Sequence, residues 1–356
     1  MRIAQVSPLH EAVPPRLYGG TERVVSYLTE ELVAMGHEVT LFASGDSVTS
    51  ARLVAGCRRS LRLDPTVTDP SLYHLIQIDQ VIRRQHDFDI IHLHGEHLHY
   101  PLVPLLRVPL LTTLHGRLDL PDLIPFYDTF RQVPVSSVSQ HQRRPLPDID
   151  WQGTVYHGLP DSLLRPGRGD GGYFAFLGRV SPEKGLDRAI AIARRSGIPL
   201  KIAAKVDAAG RRHFERIRQL LEQPGIDFIG EIGDSEKNAF LGDALGLLFP
   251  IDWPEPFGLV MIEAMACGTP VLAFRRGSVP EILEDDVTGV MVDDVEQAVA
   301  AVGRLLAIPR GRCRESFRRR FSATRMARDY LGLYRRMTPP DAAMRPAAAT
   351  ESMGEP

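Results

Sequence analysis

Cysteine is scarce. Cys57, Cys267 and Cys313 are the only three in 356 residues, and they lie far apart. That excludes a disulfide framework or a cysteine-built zinc site and suits a reducing compartment. Long apolar runs are missing too, none approaching the roughly 18 residues that read as a membrane span. The opening stretch MRIAQVSPLHEAVPP carries one short apolar segment and no apolar core of a signal peptide. The expectation is a soluble cytoplasmic protein that touches membrane peripherally at most. Charge of one sign is also lacking, since 42 Lys and Arg meet 44 Asp and Glu. A nucleic-acid partner leaves a basic footprint, so none is expected. Lysine itself is rare: Lys184, Lys201, Lys205 and Lys237 are the whole set.

What is present is enough chain for about two domains, at roughly 150 residues each. Short apolar strands alternate with helical patterns. Arg2–Val6 reads as a strand, followed by a Pro/Gly-rich loop to Gly20. Thr21–Gly36 reads as a helix with Thr21 as N-cap and Gly36 just past its end, because Val24, Val25, Leu28, Leu32 and Val33 share a face. Strands follow at Glu38–Ala43, Asp89–Leu93 and Leu110–Leu114. The second half repeats the alternation more regularly: strands at Tyr173–Leu177, Leu200–Val206, Asp227–Ile229, Leu245–Pro250, Pro270–Phe274 and Val290–Val292. Helices separate them at Lys184–Ser196, Arg211–Glu222, Ser235–Ala244, Leu259–Cys267 and Val279–Glu284. Such alternation predicts parallel sheets covered on both faces. The fold class is therefore α/β, with two doubly wound, Rossmann-like domains facing across a cleft. The linker is expected within Leu159–Gly172, and the chain from Thr338 onward reads as a disordered tail.

Three stretches carry candidate chemistry, each at a strand-to-helix junction, where open sheets bind ligands. Glu255-Pro-Phe-Gly-Leu-Val-Met-Ile-Glu263 places two carboxylates around a helix start. Leading amides of such a helix, here at Phe257, Gly258 and Leu259, favour anions. A carboxylate accepts hydrogen bonds from the neighbouring hydroxyls of a ribose or hexose. Gly178-Arg179-Val-Ser-Pro-Glu-Lys184-Gly185 puts two cations where a diphosphate fits. Alternatively it is a helix start capped by Ser181. Tyr18-Gly19-Gly20-Thr21 offers paired glycines for close backbone approach. It lacks the G-x-G-x-x-G of a dinucleotide site, which disfavours a nicotinamide oxidoreductase.

Together these stretches, with Ala264-Met-Ala-Cys-Gly-Thr-Pro-Val271, resemble the retaining nucleotide-sugar glycosyltransferases of the GT-B fold (glycosyltransferase family four, group 1 type). The resemblance covers about residues 1–337. It implies an N-terminal acceptor domain over residues 1–165, a nucleotide-sugar donor domain over 166–320 and a returning helix over 321–337. The site it implies is specific. Glu263 binds the ribose and Glu255 the donor hexose. The amides of Phe257, Gly258 and Leu259 lie near sugar and phosphate. Arg179 and Lys184 neutralise the diphosphate. Gly20 and Gly19 approach it from the other domain, His115 lies near the donor sugar, and Ile232 and Lys237 hold the base. The implied reaction moves a hexose from a nucleoside diphosphate sugar, UDP-glucose by family frequency, to an unidentified acceptor. It retains configuration and needs no metal or other cofactor. One departure is His157-Gly158, where many family members carry Asn-Gly.

Rival readings fit parts of the pattern. A nucleotide-sugar epimerase on the same fold needs no acceptor, and a sugar-nucleotide sensor needs no turnover. His92, His94, His97 and His99 have the period of a strand-borne metal site, or else line a polar cleft. Asp87-Phe-Asp89 mimics a D-x-D metal motif but precedes an apolar strand, which reads as a polar strand start. Arg318–Arg320 suits anionic lipid or a solvated helix face. The serines of Val135–Ser139 lie in no G-x-S-x-G elbow, and Cys267 reads as a small core residue.

Overall fold

The computed structural model describes residues 1–17, 19–95, 97–207 and 210–338. Readings that fall on Tyr18, on Glu96 and on the chain beyond Thr338 lie outside the described residues. The first sheet holds β1 (Arg2–Val6), β2 (Glu38–Ser44), β3 (Arg52–Cys57), β4 (Ile90–Leu93), β5 (Leu110–Thr113), β6 (Val135–Ser137) and β7 (Trp151–Thr154). The second holds β8 (Phe174–Arg179), β9 (Leu200–Lys205), β10 (Ile226–Gly230), β11 (Gly246–Phe249), β12 (Val271–Phe274) and β13 (Gly289–Val292). The helices in chain order are α1 (Gly20–Ala34), α2 (Pro70–Arg83), α3 (Leu123–Thr129), α4 (Leu186–Ser196), α5 (Arg211–Leu221) and α6 (Asp234–Gly242). They continue with α7 (Leu259–Ala266), α8 (Val279–Ile282), α9 (Val295–Leu306), α10 (Arg310–Arg320) and α11 (Ala323–Met337).

The strand orders are β3-β2-β1-β4-β5-β6-β7 and β10-β9-β8-β11-β12-β13, and every pairing is parallel. Strands such as Ile90–Leu93 and Val271–Phe274 are apolar and buried throughout, as a sheet covered on both faces requires. In each sheet the winding reverses beside the first strand, between β1 and β4 and between β8 and β11. Those switch points open a crevice at the carboxyl ends of the strands. This is the two-domain, doubly wound α/β architecture read from the sequence.

Several element starts differ from the sequence reading. Thr21 does not cap α1: Gly19 is the N-cap and the helix begins at Gly20. A Cβ on Gly19 would come within 2.7 Å of Pro15, so the entering loop packs against it and the first turn starts early. Helix α4 begins at Leu186, not Lys184, because Gly185 takes a left-handed φ of 70° after a short 3-10 turn at Pro182–Lys184. Ser181 precedes that turn without a side-chain cap bond. The final helix begins at Ala323, where the Ser322 hydroxyl accepts from the Arg325 amide at 3.2 Å. Phe321 is instead the buried C-cap of α10. Gly36 does follow α1 in a left-handed conformation, at φ 84°.

The chain crosses between the two sheets twice. Outbound it leaves β7 and reaches β8. On return, α10 packs on α7 of the second sheet and α11 packs on α1 of the first. Buried Met326, Ala327, Tyr330, Leu331 and Tyr334 form one stripe of α11, and each large side chain so buried is worth about 1.5–3 kcal/mol. The crossings touch. Leu159 N–H donates to the Phe321 carbonyl at 2.9 Å, and Ala323 N–H to the Leu159 carbonyl at 2.8 Å. Gly158 lies beneath them, where a Cβ would come within 2.3 Å of the Ser322 carbonyl oxygen.

Gly158→Ala is therefore expected to lower stability by about 1–3 kcal/mol, the usual cost of overpacking. Gly303→Ala, within α9 and with open space around it, should raise stability by about 0.5–1 kcal/mol. Urea unfolding of both variants checks the pair. A neutral Gly158→Ala would show that the crossings do not pack as described.

Candidate active site

The two crevices face one another and enclose a cavity of about 750 Å³. Its walls include every site residue that the family resemblance implied: Gly19, Gly20, His115, Arg179, Lys184, Ile232, Lys237, Glu255, Phe257, Gly258, Leu259 and Glu263. Strands at the two switch points deliver most of them. After β1 the chain leads through Gly19 into α1; after β8 through Arg179 and Lys184 into α4; after β11 through Glu255 into α7.

The start of α1 lies against the start of α7. A Cβ on Gly20 would sit 3.8 Å from the Leu259 side chain, at ordinary contact distance, so the two helix ends are neighbours. Gly19 serves packing against Pro15 instead. Each helix end leaves backbone amides unpaired and carries roughly half a positive charge. Gly258 caps α7 at φ 80°, a conformation that favours glycine. A side chain there would also meet Met261 at 2.7 Å.

Around these helix ends, cations and carboxylates alternate. Lys184 forms an ion pair with Glu255 and lies 4.7 Å from the Trp253 ring centre. The Trp253 indole N–H also donates to Glu255 Oε2 at 3.0 Å. Glu255 is thus buried but satisfied from two sides. Lys237 Nζ pairs with Glu263 Oε1 at 2.6 Å and with Asp234 Oδ1 at 3.2 Å. Arg179 stands 3.4 Å from Asp207 and 3.7 Å from Glu183. Two opposed helix ends, Arg179 and Lys184 together make a strong anion site, and the carboxylates next to it suit hydroxyls.

Sequence reasoning missed three supports. Trp253 had no pattern to betray it. Gly277 and Ser278 lock the Glu255 loop: a Cβ on Gly277 would meet the Glu255 amide nitrogen at 2.3 Å, and the Ser278 hydroxyl donates to the Phe257 carbonyl at 2.8 Å. His157 stood in the sequence only as a departure from the family's Asn-Gly. Its ring stacks on His115, centroids 5.3 Å apart, and meets Phe257 at 4.7 Å. It therefore joins the first sheet's wall to the second's. Among the described residues nothing bonds its Nδ1.

The histidines form a relay beneath the site. His115 Nε2 lies 3.0 Å from His94 Nδ1, and His94 Nε2 lies 2.7 Å from Gln5 Oε1. Gln5 Nε2 donates to the Tyr334 hydroxyl at 3.0 Å, which also contacts His92 Nδ1 at 2.7 Å. The bonds close consistently when Gln5 Oε1 accepts from His94 Nε2–H. His94 Nδ1 then accepts from His115 Nε2–H, leaving the His115 Nδ1 lone pair free of that bond. Burial holds these rings neutral. His115 and His99 are pushed down to about 3, and His92, His94 and His157 fall well below the ordinary value. His99 bonds Thr112 Oγ1 at 2.9 Å. Among the described residues, no group of three or more His, Cys, Asp or Glu side chains is placed to hold a metal ion.

The remaining motifs lie elsewhere. Asp89 accepts from the Arg2 amide at 2.8 Å at the start of β1, the end of the strand away from the cavity. Arg319 and Arg320 both reach Glu284 Oε1, at 3.0 and 2.7 Å. Cys267 is fully buried, and burial pushes its thiol up to about 12.

Comparison with known proteins agrees with this architecture. The paired sheets and the facing switch points define a GT-B fold. The structure resembles AviGT4, a glycosyltransferase involved in avilamycin A biosynthesis, with a TM-score of 0.73 at 23% identity over 97% of this chain and 99% of that one. It resembles sucrose-phosphate synthase from Thermosynechococcus elongatus with a TM-score of 0.75 at 19% identity, over 94% and 98% of the two chains. Anabaena HepE, in complex with UDP and glucose, matches with a TM-score of 0.68 at 17% identity, over 93% and 98%. Residues 18–148 match the model for Glycosyltransferase Family 4, and residues 166–323 that for Glycosyl transferases group 1. The chain belongs to this glycosyltransferase family. Among curated proteins it is 30% identical to a D-inositol 3-phosphate glycosyltransferase of Mycobacterium marinum over 177 residues, 43% of this chain and 36% of that protein. The chain thus spans about a third of the length of the curated relatives it matches.

The neutral histidines have a pH consequence. A folded-state pKa depressed below the unfolded value of about 6.5 stabilises the fold above that pH. The contribution is lost as pH falls from about 6.5 toward 3, at up to ~1.4 kcal/mol per pH unit for each ring. Urea midpoints are expected to drop between pH 7.5 and about pH 5, and less in His92→Asn than in the wild type. Equal drops in both proteins would mean that His92 is not held neutral by burial.

Proposed function

We propose that this chain is a glycosyltransferase that moves a hexose from a nucleoside diphosphate sugar to an acceptor, with retention and without a metal. One observation carries the reading. Two cations and two opposed helix N-termini converge in one cavity whose walls also hold two buried carboxylates. That is the charge pattern for a leaving diphosphate flanked by hydroxylated sugars.

The chemistry follows from charge. As the glycosidic bond to phosphate breaks, negative charge grows on the diphosphate. Arg179, Lys184 and the α1 and α7 ends stabilise it where it develops, which is the most effective form of electrostatic catalysis. Positive charge grows on the sugar in an oxocarbenium-like state. Lys184 is paired with Glu255. A bound diphosphate competes for that lysine and frees Glu255 to accept from hexose hydroxyls. Glu263 accepts from the ribose, Ile232 and Lys237 border the base, and His115 faces the donor sugar. Fixed cations on the protein supply the charge that a divalent ion supplies elsewhere. The leaving phosphate itself takes the acceptor proton, so attack and departure share one face of the sugar. Walls from both sheets exclude water during transfer. UDP-glucose is the proposed donor, supported by the UDP and glucose complex of Anabaena HepE. No helix among the described residues is long and apolar enough to cross a membrane, and we place the activity in the cytoplasm.

Thermal unfolding with UDP, GDP and ADP tests the site. A nucleotide at 100 times its Kd adds about 2.7 kcal/mol, a rise of a few degrees for a chain of this size. Glu263→Gln should abolish most of that rise. Lys184→Gln should lower the rate of nucleotide release from the sugar donor about 100- to 1,000-fold. Stabilisation by no nucleotide, or equal stabilisation of both proteins, would overturn the proposal.

A further inference from the structure

Arg23 lies in the second turn of α1, in the first-sheet unit, yet its ion-pair partner belongs to the second. It pairs with Asp234 at the start of α6, and its other guanidinium nitrogen donates to the Leu17 carbonyl at 2.6 Å. Its side chain is only 5% exposed. A charge so buried must be paired, because an isolated one is expelled or neutralised. Asp234 passes the pairing on. Its Oδ2 meets Arg23 and its Oδ1 meets Lys237, and Lys237 in turn holds Glu263 Oε1. Four charges of alternating sign therefore run from the first-sheet helix to the carboxylate on α7. Each carboxylate gives one oxygen to its neighbour in the chain. Glu263 keeps Oε2 for another donor.

This inference rests on the reading of Glu263 as a ribose acceptor and deepens it. We propose that Arg23 and Asp234 are positioning residues for the donor ribose. Acting through Lys237, they fix the Glu263 carboxylate so that it recognises ribose hydroxyls only when the first-sheet unit is docked against the second. Leu17 ties the acceptor-side loop into the same arrangement: its carbonyl binds Arg23, and its side chain lies against Gly233, where a Cβ would be 4.0 Å away. Without Arg23, Asp234 turns its charge on Lys237 alone and draws that lysine from Glu263.

The test uses whichever of UDP, GDP and ADP the wild-type protein binds best, and its 2′,3′-dideoxy counterpart. Calorimetric titration of wild type should show a tenfold or greater preference for the ribose form, since a hydrogen bond to a charged group is at stake. Arg23→Gln should weaken binding of the ribose form about tenfold and leave the dideoxy form unchanged, so the preference collapses as it does in Glu263→Gln. Arg23→Lys, which keeps a cation beside Asp234, should restore part of it. A merely structural Arg23 would weaken both nucleotides equally. If Arg23→Gln does not fold, Arg23→Lys carries the same test with a smaller loss, because it keeps a cation beside Asp234 but not the second nitrogen that binds Leu17. Undiminished ribose preference in a folded Arg23→Gln or Arg23→Lys protein would overturn the inference while leaving the donor-site reading intact. Failure of the wild type to bind any of the three nucleotides would overturn both.

Discussion

The constraint on which the rest depends is electrostatic. Two parallel sheets are wound so that the positive end of α1 lies against the positive end of α7. Arg179 and Lys184 add two full charges to the same cavity wall. Such a cluster repels itself unless counterions are built in. Glu255, Glu263, Asp234 and Asp207 are those counterions, each within ion-pair reach of at least one cation. On the proposed function, an incoming diphosphate replaces these carboxylates, and binding and catalysis draw on the same imbalance. Charge that must be offset in the resting protein is available for transfer to the leaving group.

Much of this was legible in the sequence, for a physical reason. Strand-to-helix junctions in parallel sheets are where ligands bind, and the residues needed there are restricted in type. Gly258 must take a left-handed turn, Glu255 and Glu263 flank a helix start, and Arg179 ends a strand. Those requirements leave a local trace. What left none was support contributed from far along the chain. Trp253 is near in sequence, but it bonds Glu255 within an irregular loop where no period marks it. Gly277 is a glycine because the Glu255 backbone presses on it, and that contact joins two loops. The Arg23–Asp234 pair joins residues 211 apart in the chain. Helix starts were misplaced for a related reason. Propensity favoured Thr21 and Lys184 as first residues, whereas Pro15 packing and the left-handed Gly185 decided the matter.

The histidine relay shows how the last helix serves the site without reaching it. Tyr334 of α11 bonds both Gln5 and His92, and Tyr330 bonds Thr113 at 3.0 Å. These hydroxyls set the orientation of Gln5. Gln5 then sets the tautomer of His94, and His94 that of His115. A neutral imidazole offers one donor and one acceptor, so each assignment forces the next. Burial is what makes the forcing firm, since a protonated ring would donate from both nitrogens and break the sequence of bonds. The return of α11 to the first sheet thereby fixes which nitrogen His115 presents.

The same return also limits how the two units can move. Domains that meet at a cleft open by changing backbone angles at a few hinge positions. Among the described residues, the chain crosses at 155–173 and near Phe321–Ala323, and these crossings are bonded to one another through Leu159. A hinge made of two bonded strands swings about one line and resists sliding. Several contacts also join the two units across the cleft. Arg23 meets Asp234 at the α1 side. His157 lies between His115 and Phe257. Glu281 of α8 accepts from the Gln140 and His141 amides, both at 2.7 Å. Of these, the Arg23 contact shares its charge with the donor pocket through Lys237. On the proposed function, an occupant of the donor pocket therefore acts on closure through that contact, whereas Glu281 meets backbone amides on the first-sheet side.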